Sequence, residues 1–299
     1  MKNTIEQLQG FETYLKERII GQEAAIAKAV DAFENGVLGF SDPEKPLASL
    51  LFLGPTGVGK TELTLRVGEF LFGKEKVFRF DMSEYMHEDA VSILLGRGGG
   101  DSGKLGTVLE THSEGILLFD EIEKAHYKIF DLFLQMMGSA RISLADHLSY
   151  NLSKFFIVCT SNIGSDVLAD MRSPSEVRME RAVFSRLFDY FRTELIGRFD
   201  EKILFMPLST DSLRTIAKLN IEKILYQYEA HHGYQLKIDL LAIEFLVRHG
   251  CNPRFGARPM KQAIIKHIAN AVRGALKQGD SLIKGTISVA DDHSKLFIA

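Results

Sequence analysis

The sequence predicts an α/β fold in which a parallel five-stranded sheet is flanked by helices, followed by a smaller and mostly helical domain. Short β-branched and aromatic runs alternate along the chain with longer stretches of helical periodicity. Most of these runs contain no polar alternation, which is typical of parallel strands buried on both faces. The alternation ends at Pro207, and long helical stretches follow it.

The elements of the first domain can be placed in order. The predicted strands are residues 50–53, 77–80, 116–119, 155–160 and 202–205. Helical periodicity predicts helices over residues 62–72, 104–112 and 127–137. Cys159 lies inside the fourth apolar run, so we expect it to be a small core residue.

A domain boundary is predicted near Leu208, which gives an α/β domain over residues 1–207 and a helical domain over residues 208–299. Ser209 offers an N-cap for a first long helix, and a second helix follows Asp239 and ends at Gly250. A third helix is expected from about residue 257 to residue 279. Residues 286–289 and 296–298 suggest a small terminal sheet.

Composition excludes several classes of protein. Hydrophobic residues make up 45% of the chain and charged residues 25%, which is ordinary for a globular protein and unlike a disordered or collagen-like chain. The net charge of −3 gives no bulk attraction to nucleic acid. The apolar runs are far shorter than the roughly 20 residues of a spanning helix, and no signal sequence is recognisable. We therefore expect a cytoplasmic protein with no membrane insertion and no nucleic-acid partner.

The strongest motif is the segment Gly54-Pro55-Thr56-Gly57-Val58-Gly59-Lys60-Thr61, which lies between a predicted strand and a predicted helix. Its glycines allow backbone N–H groups to converge on phosphates, and the following helix presents its positive end to them. Lys60 would reach the β- and γ-phosphates, and Thr61 would ligate Mg²⁺. The alternative is a glycine-rich turn without a ligand, which the strand-before and helix-after context disfavours.

Two carboxylates end the third predicted strand. Asp120 would hold Mg²⁺ through water, and Glu121 would polarise the attacking water. Taken alone, an Asp-Glu pair after a strand is more often a solvated helix start. Combined with the phosphate-binding motif upstream, it favours nucleotide hydrolysis.

Three further polar residues are candidates with ordinary alternatives. Asn162 follows the fourth strand and can contact the γ-phosphate and the water, or simply form a turn. Arg198 precedes the last strand, and its alternative role is a surface ion pair with Asp200 or Glu201. Arg258 opens a helix of the second domain, where its alternative role is that of a solvated cation.

These motifs occur in an order and spacing that resemble the AAA+ ATPases, and among them the second nucleotide-binding domain of Clp chaperones of the ClpA, ClpB and ClpV type. The resemblance extends from about residue 12 to the end of the chain. The segments that carry it are residues 20–22, 54–62, 81–86, 118–126, 160–165, 197–200 and 256–259.

The resemblance implies a P-loop AAA+ core with a helical lid domain, and ATP and Mg²⁺ as cofactors. It implies that Ile19, Ile20 and Gly21 line the adenine pocket. Asn162 would be sensor 1, Arg258 sensor 2, and Arg198 an arginine finger that acts on a neighbouring subunit, so the competent form would be a homo-oligomeric ring, by analogy a hexamer. The implied phosphate-binding residues are Pro55, Thr56, Gly57, Val58, Gly59, Lys60, Thr61 and Glu62, and the implied metal-binding residues are Thr61 and Asp120.

The sequence departs from this family where a Clp ring grips its client. The first pore loop, expected within residues 96–104, contains no aromatic residue, and glycines cannot supply the apolar contact of an aromatic side chain. The second pore loop, residues 138–148, also lacks its usual acidic and glycine-rich character. No Clp protease is expected as a partner, because residues 166–175 contain no hydrophobic-Gly-hydrophobic tripeptide. The tripeptide Leu38-Gly39-Phe40 is interpreted as packing.

Two functions of different classes follow. The first is an ATP-hydrolysing ring that remodels an unidentified protein client in a bacterial cytoplasm. The second is a ring scaffold or switch that uses ATP for assembly and works through interaction, and the missing pore aromatics favour it. A DNA-acting motor is a weaker third hypothesis, because the net charge is acidic and the pore segment has no aromatics interleaved with basic residues.

Overall fold

A computed structural model of the chain describes residues 2–73, 75–97, 100–143, 149–170, 175–251, 256–277 and 284–299. The chain divides into two compact units. The first comprises Met1–Pro55 and Gly59–Met206, and the second comprises Thr56–Val58 and Pro207–Ala299.

Five parallel strands form the sheet of the first unit, which confirms the predicted fold class. The strands of this unit are Ala48–Leu53 (β1), Val77–Asp81 (β2), Gly115–Asp120 (β3), Arg141–Ser143 (β4), Ser149–Asn151 (β5), Phe155–Ser161 (β6) and Glu201–Leu204 (β7). The sheet has the order β2-β3-β6-β1-β7. The short strands β4 and β5 pair antiparallel outside it, and the sequence pattern did not indicate them.

Helices pack around this sheet. They are Lys2–Leu8 (α1), Phe11–Lys16 (α2), Glu23–Val37 (α3), Lys60–Phe72 (α4), Ala90–Leu95 (α5), Gly103–Thr111 (α6), Tyr127–Ser139 (α7), Ser165–Asp170 (α8), Glu176–Leu187 (α9) and Thr193–Ile196 (α10). The three helices predicted in this domain correspond to α4, α6 and α7. Their ends differ from the prediction by one or two residues, since hydropathy does not mark where backbone hydrogen bonding begins.

The burial of the central strands explains why their apolar runs were clear in the sequence. Strands β1, β3 and β6 are buried at every residue, as expected for parallel strands that are covered on both faces. Phe119 on β3 stacks on Phe80 at a centroid distance of 5.2 Å and meets Phe133 of α7 edge-on at 4.9 Å. Cys159 on β6 is fully buried as predicted, and burial raises the pKa of its thiol.

The register of the sheet brings the polar strand ends together. Asp81 pairs with Asp120 across β2 and β3, and Leu53 pairs with Ser161 across β1 and β6. Because the strands are parallel, the residues that follow β1, β3 and β6 all emerge at the carboxyl edge of the sheet. The glycine-rich loop, Glu121 and Asn162 therefore share one edge.

Over its described residues, the second unit contains three helices and a small mixed sheet. Its elements are Thr210–His232 (α11), Gln235–Ile238 (β8), Leu240–Gly250 (α12), Met260–Leu276 (α13), Lys284–Val289 (β9) and Leu296–Ile298 (β10). The Ser209 hydroxyl caps α11 by accepting the Ser212 N–H at 3.1 Å, and the Asp239 carboxylate caps α12 in the same way. Helix α13 is shorter than predicted at its start, and residue 279 lies outside the described residues.

One packing expectation is wrong. Phe40, in the tripeptide interpreted as packing, is 76% exposed. The chain leaves α3 through a left-handed Gly39 with φ of 76°, which directs the following residue away from the helix. Over the residues that the structure describes, no helix combines the length and the apolarity needed to cross a bilayer.

Candidate nucleotide-binding site

The loop between β1 and α4 has the backbone conformation that its glycines predict. Gly54, Gly57 and Gly59 have φ values of 134°, 77° and 110°, a region that side chains disfavour. A Cβ atom on Gly54 would lie 2.3 Å from the carbonyl oxygen of Phe205, so this position has no room for a side chain. The loop therefore exposes backbone rather than side chains at the start of α4.

Lys60, the first residue of α4, is buried beneath this loop. Its ammonium donates hydrogen bonds to the carbonyl oxygens of Gly54 at 2.6 Å and Pro55 at 2.8 Å, and to Oδ1 of Asn162 at 3.0 Å. Only 7% of the residue is exposed. These hydrogen-bond acceptors are neutral oxygens, so the positive charge of the buried ammonium remains suited to binding an anionic ligand.

Burial lowers the pKa of Lys60 to about 8, because desolvation disfavours the charged ammonium. Three nearby carboxylates oppose this fall in the pKa. In decreasing order of influence they are Glu123, Asp120 and Glu121.

A second cluster surrounds Asp120 at the end of β3. The Thr61 hydroxyl lies 3.2 Å from both carboxylate oxygens, and the Thr160 hydroxyl donates to Oδ1. Arg79 on β2 forms an ion pair of 2.7 Å with Oδ2. Hydroxyl and carboxylate oxygens are the ligands that Mg²⁺ prefers, so Thr61 and Asp120 fit a magnesium site beside the glycine-rich loop.

Glu121 follows Asp120 in a strained conformation. Its φ of 57° and ψ of 52° are left-handed, which is uncommon for a residue with a side chain. The Glu121 N–H donates to the Thr160 hydroxyl at 3.1 Å, and Oε1 accepts a hydrogen bond of 3.2 Å from the Asn162 side chain. These two contacts hold the carboxylate next to the Lys60 cluster.

Asn162 joins the two clusters at the end of β6. Its amide accepts from Lys60 through Oδ1 and donates to Glu121 through Nδ2. Its carbonyl oxygen also accepts from the Ser165 hydroxyl at 2.5 Å, so the residue forms a turn as well. Asn162 therefore forms a turn with its backbone and also makes polar contacts with its side chain.

Arg198 is exposed and lies against helix α7. A Cβ atom on Gly138 would be 3.1 Å from its Nη1 atom, so the guanidinium rests on the last turn of that helix. The alternative surface ion pair is not formed, because within the described part of the chain Arg198 has no acidic partner within salt-bridge distance. The Asp200 carboxylate instead accepts the Ser49 N–H at 2.7 Å.

Of the three residues predicted to line the adenine pocket, the first has a buried side chain. Ile19 is 3% exposed, and its Cγ2 atom lies 3.6 Å from where a Cβ on Gly59 would be. Ile20 is half-buried, and Gly21 is left-handed with φ of 75°. The following Gln22 makes two hydrogen bonds with the backbone of Met206, at 2.8 and 3.0 Å, which fix this segment to the second residue after β7.

Four further predicted residues, Arg258, Glu62, Thr56 and Val58, lie as follows. Arg258 is exposed and lies in the second unit, two residues after the left-handed Gly256. Glu62 makes an ion pair of 2.6 Å with Arg66 on the surface of α4. Thr56 and Val58 belong to the second unit, and Val58 is buried. The nucleotide-binding roles of these residues stay predictions.

Sequence reasoning missed four residues that support the site. Gln22 fixes the segment after Ile19, Thr160 links Asp120 to Glu121, Arg79 pairs with Asp120, and the Glu123 carboxylate accepts the Asn162 N–H at 3.1 Å. Thr160 carries a usable signal, because it is a hydroxyl at the polar end of an apolar strand. The other three act on residues that are distant along the chain.

Comparison with known proteins is consistent with this geometry. Residues 45–202 match the family described as AAA domain (Cdc48 subfamily), and residues 208–289 match the C-terminal D2-small domain of ClpB protein. The chaperone protein ClpB of Dichelobacter nodosus is 36% identical over 298 residues, which is 98% of this chain and 34% of that protein. The mitochondrial ClpB3 of Oryza sativa subsp. japonica is 36% identical over 95% of this chain and 31% of its own length.

Among solved structures, a closed-state cryo-EM reconstruction of Hsp104 with ATPγS and FITC casein matches with a TM-score of 0.86 and 29% identity. The match covers 100% of this chain and 52% of the Hsp104 chain. The chain thus spans about a third of the length of the curated relatives described above.

Proposed function

Because the chain belongs to the AAA+ family, with the core and lid of a Clp-type second nucleotide-binding domain, we propose that it is an Mg²⁺-dependent ATPase that assembles into a hexameric ring and remodels a protein client. One observation carries the proposal. The Asn162 amide connects the buried ammonium of Lys60 to the carboxylate of Glu121, beside the oxygen cluster of Thr61 and Asp120.

The residues of the site fit a magnesium nucleotide. Backbone N–H groups of the loop at Gly57 and Gly59, together with Lys60, would hold the phosphates. Thr61 and Asp120 would hold Mg²⁺, which when bound neutralises negative charge on the phosphate oxygens. Ile19 would supply an apolar wall for the adenine. Arg258 would contact the γ-phosphate from the lid.

Glu121 and Asn162 are proposed to act on the water. The Glu121 carboxylate would take a proton from the attacking water, and Asn162 would orient that water against the γ-phosphate. The left-handed backbone of Glu121, held by Thr160, sets the direction of the carboxylate. A side chain that is already held in its reactive orientation needs little reorganisation during the reaction.

Ring assembly is supported by the exposed Arg198, which acts in this proposal as an arginine finger on the nucleotide of the next subunit. Such a finger contributes roughly 10³- to 10⁵-fold in rate. A head-to-tail interface that supplies one residue to a neighbour's site closes into a ring when its rotation permits. One relative of known structure, Hsp104, was solved with ATPγS and FITC casein.

The second candidate, a ring scaffold or switch, is favoured by the segment that would form the first pore loop. The Asp101 carboxylate accepts the backbone N–H groups of Arg97 at 3.2 Å and Gly103 at 3.0 Å. A Cβ atom on Gly96 would lie 1.9 Å from the Asp101 carbonyl oxygen. The described part of this segment is thus closed on itself and presents no aromatic side chain. Gly98 and Gly99 lie outside the described residues.

A complementation experiment tests the ATPase and the ring together. Arg198→Ala lacks the finger and Glu121→Gln lacks the base, so each variant alone should hydrolyse ATP at a small fraction of the wild-type rate. Mixed subunits form sites with an intact Glu121 and a neighbour's intact Arg198, so activity should return on mixing. Arg192→Ala is the matched control, because Arg192 is another exposed arginine of this region and pairs with Asp131.

The outcomes separate the two functions. Inactivity of the wild-type protein at every concentration and pH would exclude the ATPase, and failure of the mixture to recover would exclude the shared site. Fluorescence polarisation of FITC-casein then tests remodelling. If ATP hydrolysis changes the polarisation with wild-type protein and not with Glu121→Gln, the remodelling function is supported, whereas ring assembly without any such change supports the scaffold.

A further inference from the structure

Glu123 is a third carboxylate at the edge of the sheet, in the short 3₁₀ turn Ile122–Lys124 that follows β3. Its Oε1 atom accepts the backbone N–H of Asn162 at 3.1 Å. This hydrogen bond crosses from the end of β3 to the end of β6. It therefore fixes the backbone of the residue whose side chain links Lys60 to Glu121.

The second carboxylate oxygen of Glu123 is buried without a hydrogen-bond partner among the described residues. A buried polar oxygen left unpaired is destabilising, so this position is a poor one for a purely structural cap. Asparagine or serine could accept the same N–H group without placing a full charge in the interior.

The negative charge of Glu123 favours the charged form of the nearby Lys60 side chain. Of the three carboxylates that oppose the fall in the Lys60 pKa, Glu123 has the largest influence, ahead of Asp120 and Glu121. Asp120 is already paired with Arg79, whereas no described cation lies within ion-pair distance of Glu123. Glu123 is thus the carboxylate best placed to balance the buried ammonium.

We propose that Glu123 is a positioning residue for ATP hydrolysis, which holds the Asn162 backbone so that the Asn162 side chain bridges Lys60 and Glu121. This inference rests on the proposed ATPase function. Glu123 touches neither the nucleotide nor the water and acts through Asn162.

Two substitutions separate the hydrogen bond from the charge. Glu123→Gln keeps an oxygen that accepts the Asn162 N–H and removes the negative charge. We expect kcat to stay within about threefold of wild type, because the hydrogen bond from the Asn162 N–H is kept. Glu123→Ala removes both features. We expect kcat to fall about 10- to 100-fold with KM changed less than about threefold, since a small displacement of a positioned group has effects of this size.

The matched controls are Glu114→Gln and Glu114→Ala, because Glu114 is an exposed glutamate that pairs with Lys76 and does not contact the cluster. Both should leave kcat and KM unchanged. A Glu123→Ala variant with kcat within threefold of wild type would overturn the positioning role. A folded Glu123→Gln variant whose kcat falls more than about tenfold would also overturn it, since this variant keeps the accepting oxygen, and that measurement stands even if Glu123→Ala fails to fold. Absence of ATP hydrolysis by the wild-type protein would instead contradict the proposed function.

Discussion

The side-chain amide of Asn162 donates a hydrogen bond of 3.2 Å to Oε1 of Glu121, while its oxygen accepts one of 3.0 Å from the Lys60 ammonium. One planar group therefore connects the residue proposed to bind phosphate with the residue proposed to activate water. A phosphate that recruits the Lys60 ammonium would compete for the same hydrogen bond and release the Asn162 oxygen. The presence of the γ-phosphate would in this way change the hydrogen bonding of the base.

This relationship predicts distinct effects for two Asn162 variants. Asn162→Ala should lower kcat about 100-fold, as expected for loss of one oriented donor, with nucleotide affinity changed less than about threefold. Asn162→Asp has nearly the same shape, yet it places an oxygen opposite Glu121, so kcat should fall by a similar factor. Steady-state ATPase rates and binding of a fluorescent nucleotide measure the two effects. An Asn162→Asp enzyme with normal kcat would show that the donor is unnecessary.

The pKa of Lys60 predicts proton uptake on nucleotide binding. Burial lowers the pKa to about 8, so about half of the ammonium groups have lost their proton near that pH. Bound phosphates favour the charged form and raise the pKa, so affinity should be highest below pH 8 and decrease as the pH rises. At pH 8.5 binding should take up a large fraction of a proton for each site, and much less at pH 6.5.

Calorimetry in two buffers of different ionisation enthalpy measures this uptake. Lys60→Arg stays charged at both values of pH, so its uptake should be near zero. Lys76→Arg, a change at a surface lysine that pairs with Glu114, should behave as wild type. Equal uptake by the wild type and by Lys60→Arg would assign the proton to another group.

The sequence predicted the central sheet well and the supporting contacts poorly, for a physical reason. Strands β1, β3 and β6 are buried on both faces, so their hydropathy alone indicates them. Strand β8 was missed because it is short and only half-buried, and its partner β9 lies far along the chain. Ser161 at the end of β6 is polar, yet its backbone still pairs with Leu53 of β1. Hydropathy does not reveal such a residue, so the predicted strand ended too early.

The same distinction applies to the site. Lys60, Asp120 and Glu121 belong to local motifs whose spacing reflects their chemistry. The contacts of Arg79 with Asp120 and of Glu123 with Asn162 depend on which strands are neighbours, and one sequence does not supply that register. The packing of Arg198 on Gly138 likewise joins distant segments.

Arg79 is predicted to stabilise the metal-free site. Asp120 has a side chain only 7% exposed, and Arg79 is its single described cationic partner. In EDTA, Arg79→Gln should lower the free energy of unfolding by about 1–2 kcal/mol, because one buried oxygen loses its ion-pair partner. Mg²⁺ with ADP should then raise the melting temperature more in this variant than in wild type, since the cation replaces the lost charge.

Thermal unfolding with and without Mg²⁺-ADP measures this difference. Arg192→Gln is the control, because it removes an exposed arginine whose pair with Asp131 is solvated and contributes little. Equal stability of Arg79→Gln and wild type in EDTA would mean that the hydrogen bonds from Thr61 and Thr160 suffice to hold Asp120.

Two helical glycines should respond to alanine with opposite signs. A Cβ atom on Gly68, in α4, would lie 2.0 Å from Cγ2 of Val77 on β2, so the helix and the sheet would have to separate. Overpacking of this kind costs about 1–3 kcal/mol, which exceeds the roughly 1 kcal/mol that alanine gains in a helix. Gly274, in α13, has no atom within 4 Å of an added Cβ beyond its own helix and chain neighbours, so Gly274→Ala should stabilise by about 0.5–1 kcal/mol.

Urea denaturation of the single variants and of a Gly68→Ala, Val77→Ala double variant distinguishes the clash from a general intolerance of α4. Val77→Ala removes the methyl group that the new Cβ would meet, so the double variant should be more stable than the sum of the two single effects predicts. Strictly additive losses would mean that Gly68→Ala acts through the helix rather than through the contact with β2. The position of α4 on the sheet also sets that of Lys60 at its first turn, so Gly68→Ala should weaken nucleotide affinity, whereas Gly274→Ala should not.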